Sequence, residues 1–189
     1  LGDVYKRQGW YIVKEPLTLK QNTNLIGLHP GTTILLTLGG NLAFSGFGAP
    51  QAQLTTPQGG KNIVCGIFLN ADAYNYRAVN CKWMAGEGSY MYDVKFSGHD
   101  KARFFHNGQS AVNPLEKPMS ITPETHDLIT RAWDNQHWSL WITNGGGGSF
   151  RDIWTANEYS SAGLYISHTD TPGRIYGCLL YTSDAADEL

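Results

Sequence analysis

Three absences narrow the class of protein that this sequence encodes. The chain has three cysteines among 189 residues, too few for a framework of disulfide bonds. Its formal net charge of −2 leaves no basic excess that would favour nucleic acid or an anionic membrane surface. No stretch approaches the roughly 18 consecutive apolar residues of a membrane-spanning helix. We therefore expect no nucleic-acid partner and no membrane partner.

Glycine, aromatic residues and short apolar runs are abundant instead, and the runs repeat. The run SLWI begins at Ser139, and a similar run, GLYI, begins 24 positions later at Gly163. The run RIY at 174–176 repeats part of SFRDIW, with Ile175 25 positions after Phe150. Strands this short cannot bury a core alone. A repeat of this length therefore predicts an all-β solenoid in which successive turns of the chain stack.

The repeat is not continuous along the chain. Residues 39–60 are rich in glycine, proline, glutamine and threonine, which predicts a loop, and residues 96–137 lose the period, which predicts a long loop insertion containing a short helix at 123–131. Four glycines at 145–148 lack the lysine of a phosphate-binding loop and predict a corner where the backbone segments approach closely. Cys65 and Cys81 lie in neighbouring strand-like runs, which favours free thiols over a bridge.

Both ends of the chain differ from the rest. Residues 1–8, LGDVYKRQ, and residues 178–189, beginning CLLYTSDAADE, resemble two different sequencing-library adaptors in translation. We therefore expect neither end to be native and residues 9–177 to be a fragment of a longer protein, truncated at both ends. Without the two ends the acidic and basic residues balance, so the native part is predicted to be neutral.

Three stretches carry a family resemblance: GWYIVKEPLTLKQNTNLIGLHPGTTILL at 9–36, AVNCKWMAGEGSYMYDVKF at 78–96 and WDNQHWSLWITNGGGGSFRDIWT at 133–155. They resemble the pectate-lyase superfamily, in particular bacterial proteins related to glycoside hydrolase families 28 and 55. The resemblance implies a right-handed parallel β-helix over residues 9–177. It also implies a secreted or cell-surface carbohydrate-active enzyme, most readily a glycoside hydrolase acting on a polysaccharide or oligosaccharide.

Glycoside hydrolysis requires two carboxyl groups on either side of the scissile bond. Asp93 in YMYDVKF and Asp152 in SFRDIW occupy similar places in their runs, so stacked strands would bring them close together. Either they are the catalytic pair, or they are turn residues without a catalytic role. Glu87, between two glycines, and Asp134, just before the repeat resumes, are weaker catalytic candidates with the same alternative.

Tryptophan suits sugar binding because indole stacks on the apolar C–H faces of sugar rings. The candidates for substrate binding are Trp133, Trp138, Trp141 and Trp154. The alternative is that these side chains fill the core, since indole has a large apolar area to bury. If Leu140 and Ile142 point inward, the alternation of a strand points Trp141 outward.

Two further functions remain open from the sequence. One is a polysaccharide lyase, which needs Lys or Arg beside its base. The other is a non-catalytic glycan-binding or structural β-helix, such as an adhesin or a tailspike shaft, because fold alone does not imply activity. The histidines show no spacing typical of a metal site, and the carboxylates form no calcium cluster, so neither a metal nor another cofactor is predicted.

Overall fold

The computed structural model of the chain describes residues 2–5, 8–46, 48–72, 75–98, 105–106, 109–110, 137–155 and 160–178. These residues form an all-β protein without a helix in any described range. Fifteen strands are defined in these ranges, and thirteen of them belong to two parallel sheets. The strand order is compatible with a parallel β-helix.

Sheet A contains eight strands. They are β1 (Gly2–Tyr5), β2 (Gly9–Ile12), β4 (Thr23–Ile26), β5 (Thr33–Leu36), β7 (Ile63–Asn70), β9 (Tyr90–Ser97), β13 (Gly148–Trp154) and β15 (Gly173–Tyr176). Sheet B contains five. They are β3 (Leu17–Thr18), β6 (Gln51–Thr55), β8 (Ala78–Trp83), β12 (Trp138–Ile142) and β14 (Ala162–Ile166).

From β6 onward the described strands of the two parallel sheets alternate, first in sheet B and then in sheet A. Each strand pairs with the next strand of its own sheet. Leu140 of β12 therefore lies opposite Leu164 of β14, and Phe150 of β13 lies opposite Ile175 of β15. These pairs are 24 and 25 residues apart, so the repeat predicted from the sequence is confirmed as the spacing between neighbouring strands.

Side chains from both sheets form the main hydrophobic core, and Phe44, Ala71 and Ala78 form a smaller separate cluster. Val64, Ile67 and Leu69 of β7 pack with Leu54 of β6 and Cys81 of β8 in the main core. The largest of the fully buried side chains is Trp83. Its Nε1 donates to the carbonyl of Gly147 at 2.9 Å, and its ring meets that of Phe150 edge-on at 5.5 Å between centroids. The core therefore lies between sheets A and B.

Strand β6 corrects the sequence interpretation. Residues 39–60 were predicted to form a loop, but Gln51–Thr55 form a strand that pairs in parallel with β3 and β8. Gln53 and Leu54 are fully buried. The flanking glycine and proline residues are typical of a loop, whereas the sheet partners that make this segment a strand are distant in sequence.

The predicted insertion at 96–137 is described only in part. A small antiparallel pair, β10 (Phe105–His106) and β11 (Gln109–Ser110), lies within it, and the predicted helix at 123–131 is outside the described residues. After this segment β12 pairs with β8, and β13 pairs with β9. Strands β12 and β13 thus continue sheets B and A after the insertion.

The glycine corner at 145–148 is confirmed as a close approach of backbones. A Cβ atom added at Gly146 would lie 2.3 Å from the carbonyl oxygen of Trp83, and one added at Gly148 would lie 2.3 Å from that of Ser89. No side chain fits at either distance. Cys65 and Cys81 are free thiols, as predicted.

Candidate functional site

Asp93 and Asp152 lie opposite each other on adjacent strands. The register pairs Tyr92 with Arg151 and Val94 with Ile153, which leaves the two aspartates at matching positions. Adjacent strands in a sheet are about 4.8 Å apart. Their similar places in the sequence repeat therefore correspond to neighbouring places in the fold.

Four residues at matching positions in sheet A, within a strand or directly after it, have positive φ angles. The φ angles are 50° at Asp93 and 52° at Asp152. The φ angle is 65° at Gly66, which lies opposite Asp93. It is 59° at Gly177, which lies at the level of Asp152 because Tyr176 pairs with Arg151. Glycine adopts this left-handed conformation freely, and aspartate tolerates it better than most residues. The backbone therefore accounts for aspartate at a position that glycine occupies on either side.

These four residues form a bend, called here the sheet A corner. Val64 before Gly66 and Ile67 after it both point into the core. Cys65 and Gly66 lie between them, so the chain bends here, and a side chain at the Gly66 position lies outside the core cluster. Arg151 Nε lies 3.4 Å from Asp152 Oδ2, and the two side chains are 62% and 45% exposed. The Asp152 carboxylate accordingly lies on an outward bend.

Cys65 immediately precedes Gly66 in this corner, and the charge of Asp93 affects the pKa of its thiol. Burial is the main reason that the pKa of the Cys65 thiol is raised, and the negative charge of Asp93 adds to it. Both effects disfavour the thiolate. Cys81 is fully buried, and burial raises the pKa of its thiol far above the ordinary range.

Of the other predicted candidates, Glu87 and Trp154 lie outside this corner. Glu87 is an exposed turn residue between β8 and β9. Trp154 lies on sheet A, where Lys95 is placed 4.7 Å from its ring and 4.8 Å from the ring of Phe68. Trp133 and Asp134 lie outside the described residues.

Trp138 and Trp141 come together on sheet B with a residue that the sequence analysis missed, Tyr165. The Trp138 and Tyr165 rings stack at 4.1 Å with an interplanar angle of 24°. The two tryptophan rings are 5.0 Å apart, and Trp141 lies 6.4 Å from Tyr165. We call these three side chains the aromatic surface. Tyr165 was predictable, because it is 24 positions after Trp141, the spacing of the repeat.

The predicted alternation is confirmed at Leu140, Trp141 and Ile142, although it does not extend to Ser139, which is also buried. Leu140 is 1% exposed and Ile142 is 4% exposed, whereas Trp141 is only partly buried. Lys82 of β8 places its ammonium 4.6 Å above the Trp141 ring. Trp141 Nε1 donates to Ser167 Oγ at 2.9 Å. These contacts hold the indole in one orientation, while Tyr165 is 38% exposed at the end of the row.

Residues 48–49 form a short loop that contacts with Arg77 and His137 hold beside the aromatic surface. Arg77 Nε donates to the Ala49 carbonyl at 3.0 Å. The ring of His137, 5.4 Å from the Trp138 ring, forms a hydrogen bond with the Gly48 backbone. Burial lowers the pKa of His137, and Arg77 lowers it further, against the opposing effect of the Gly48 contact. Two side chains thus hold residues 48–49 next to Trp138.

The chemistry available at these sites is limited. Within the described ranges, no three His, Cys, Asp or Glu side chains come together in a way that would hold a metal ion. Nor does any described segment form a helix long and apolar enough to cross a membrane. Sheet B offers aromatic rings with a flanking ammonium group, and the sheet A corner offers two aligned carboxylates.

The fold therefore defines the class only as an all-β protein built from parallel sheets. A scan against protein-family models found no match to this chain, and a search of curated protein sequences found none either.

Proposed function

We propose that this protein is a secreted parallel β-helix that binds polysaccharide through the aromatic surface formed by Trp138, Trp141 and Tyr165. The observation that carries the proposal is the clustering of these rings on the outside of sheet B. Leu140 and Ile142 already fill the core on the other side of the strand. Large aromatic groups grouped at a surface are typical of binding sites.

The β-helix itself is supported by three features. Neighbouring strands are parallel, successive strands from β6 onward alternate between two sheets, and both sheets face the main core. The resemblance of residues 9–36, 78–96 and 133–155 to the pectate-lyase superfamily points the same way. Secretion and a polysaccharide ligand follow from that resemblance together with the aromatic surface.

Binding can be measured by affinity electrophoresis and calorimetry on soluble β-glucan, xylan, mannan and pectin. Replacing Trp141 or Tyr165 by alanine removes aromatic contacts worth about 1–1.5 kcal/mol. Each substitution is therefore expected to weaken binding about tenfold. Trp10→Ala is the matched control, because Trp10 is 40% exposed on the other sheet. The proposal fails if no polysaccharide binds, or if both sheet B variants bind as tightly as the unchanged protein.

A second candidate function, glycoside hydrolysis by Asp93 and Asp152, is favoured by their aligned register. Carboxyl groups about 5 Å apart suit a retaining mechanism, in which one attacks the sugar and the other donates a proton. Arg151 beside Asp152 is also the kind of residue that a lyase needs. The exposed outward bend and the equivalent glycines favour the binding function over either reaction.

Reducing-sugar release on the same polysaccharides separates the two functions. If the pair is catalytic, Asp93→Asn and Asp152→Asn each reduce the rate by about 100-fold or more. Glu15→Gln is the control for a general effect of removing an exposed carboxylate. Unchanged rates in both aspartate variants exclude this pair, whatever the binding measurements show.

A further inference from the structure

Four buried polar side chains lie near the ends of neighbouring strands of sheet A. We call Thr37, Gln53, Asn70 and Ser97 the polar corner; all four are between 0% and 1% exposed. Thr37 follows β5, Asn70 ends β7 and Ser97 ends β9, while Gln53 lies on β6 of sheet B. Leu36 pairs with Asn70, and Asn70 pairs with Ser97, so the three sheet A positions are neighbours across strands.

Hydrogen bonds bring these residues around shared carbonyl groups. Gln53 Nε2 donates to the carbonyl of Leu35 at 2.9 Å and to that of Asn70 at 3.1 Å. The Thr37 amide donates to the same Asn70 carbonyl at 2.9 Å. One carbonyl thus places Thr37, Gln53 and Asn70 side by side.

Each member nevertheless keeps a buried polar atom that has no partner among the described residues. These atoms are Thr37 Oγ1, Gln53 Oε1, Asn70 Nδ2 and Ser97 Oγ. Reversing the amides would not resolve this. Gln53 Nε2 already donates to two carbonyls, and Asn70 Oδ1 accepts from the Asp72 amide at 2.8 Å. Buried polar groups in folded proteins almost always have a protein or water partner.

We propose that the polar corner is a binding site for ordered water that bridges Gln53 Oε1 and Asn70 Nδ2 and reaches the hydroxyls of Thr37 and Ser97. Gln53 Oε1 can only accept a hydrogen bond, whereas Asn70 Nδ2 can only donate one. A bridging molecule must therefore both donate and accept, which water does and a metal cation does not. Buried waters make about three hydrogen bonds each, so the four groups suffice for one or two.

The bound water would tie the two sheets together at this corner. Gln53 belongs to sheet B, whereas its three partners belong to successive strands at the end of sheet A. Asn80 of the next sheet B strand bridges the carbonyls of Leu69 and Ser97 through its side-chain amide. Gln53 makes the same kind of bridge through its Nε2, and water at its Oε1 would add a second link between the sheets.

Water contacts can be detected by nuclear magnetic resonance on the intact ¹⁵N-labelled protein. We expect the Asn70 side-chain amide to show a cross-peak to water with the sign of a long-lived complex. The Asn75 amide is the internal control, because it is also buried but donates to the carbonyls of Leu38 and Ala71. A missing cross-peak at Asn70, or equal cross-peaks at both amides, overturns the proposal.

Two further measurements exclude other sources of such a signal. Relaxation dispersion of ¹⁷O-enriched water detects water oxygen and not hydroxyl protons, and it should reveal at least one long-lived molecule; none would overturn the proposal. Sodium can also be exchanged for potassium and then for tetramethylammonium. The Asn70 amide shift should not change, and a shift that follows the cation would assign the site to a metal ion instead.

Discussion

The bend in each long strand of sheet A depends on single residues with positive φ angles. Asp93 and Asp152 occupy it in β9 and β13, and Gly66 occupies it in β7. The similar places of the two aspartates in the runs YMYDVKF and SFRDIW indicated that they are equivalent. They did not indicate the left-handed backbone, because aspartate is compatible with both ordinary and left-handed conformations.

A first prediction separates the backbone role of Asp93 from any role of its carboxylate. Asp93→Ala places a β-carbon without a compensating polar group in the left-handed region and is expected to destabilise the protein by about 1–2 kcal/mol. Asp93→Gly should change stability by less, because glycine adopts this conformation freely. Urea denaturation measures both, with Asp170→Ala as an exposed control at ordinary φ. Equal losses for alanine and glycine would contradict the backbone role.

A second prediction concerns pH and His137. Because burial lowers the pKa of His137 in the folded protein, the unfolded chain binds a proton there first as the pH falls below about 6.5. The free energy of unfolding should therefore decrease through this range, and the decrease should stop below the folded pKa. His137→Gln should remove this part of the pH dependence. Denaturation curves between pH 7.5 and pH 5 test this, and an unchanged slope in the variant would contradict it.

At the scale of elements, the turn between β12 and β13 shows how tightly adjacent segments pack. Gly146 and Gly148 each face a backbone carbonyl, from Trp83 and Ser89 respectively. The four consecutive glycines predicted this close approach. The identity of the facing carbonyls depended on the register between β8 and β12 and between β9 and β13, which local sequence does not encode.

A third prediction tests this turn. Gly146→Ala forces either the turn or the Trp83 backbone to move, which is expected to cost about 3 kcal/mol. Gly173→Ala is the matched control, because the nearest atom to an added Cβ there is 3.8 Å away, an ordinary contact. Thermal or urea unfolding should show a large loss only for Gly146→Ala. A loss of similar size in both variants would mean that the destabilisation comes from replacing glycine by alanine in general, and not from the close approach.

At the scale of the whole molecule, each sheet ends in a strand with one edge unpaired by any described strand. Among the described strands, β14 pairs only with β12, and β15 pairs only with β13. These last strands expose Ile166 at 54%, Ile175 at 44% and Tyr176 at 52%. Exposed apolar strand edges accept strands from other chains. At the other end of the sheet A strand order, β1 pairs in parallel with β4.

A fourth prediction follows from these edges. The protein is expected to associate increasingly with concentration, and Ile166→Lys combined with Ile175→Lys should shift it toward monomer, since charges oppose edge pairing. Leu42→Lys is the control, because Leu42 is 93% exposed in a turn away from the free edges. Sedimentation velocity over a range of concentrations measures the effect. A protein that stays monomeric throughout would contradict the prediction.

The sequence by itself determined the strand-rich fold, the repeat of 24 to 25 residues and the outward position of Trp141. These features depend on period-two alternation and on turn residues, which act locally along the chain. The tertiary structure decided that Gln51–Thr55 are a strand, that Trp154 lies on a different sheet from Trp138, and that Tyr165 stacks on Trp138. These features depend on register between distant strands, because contacts across a sheet join residues far apart in sequence.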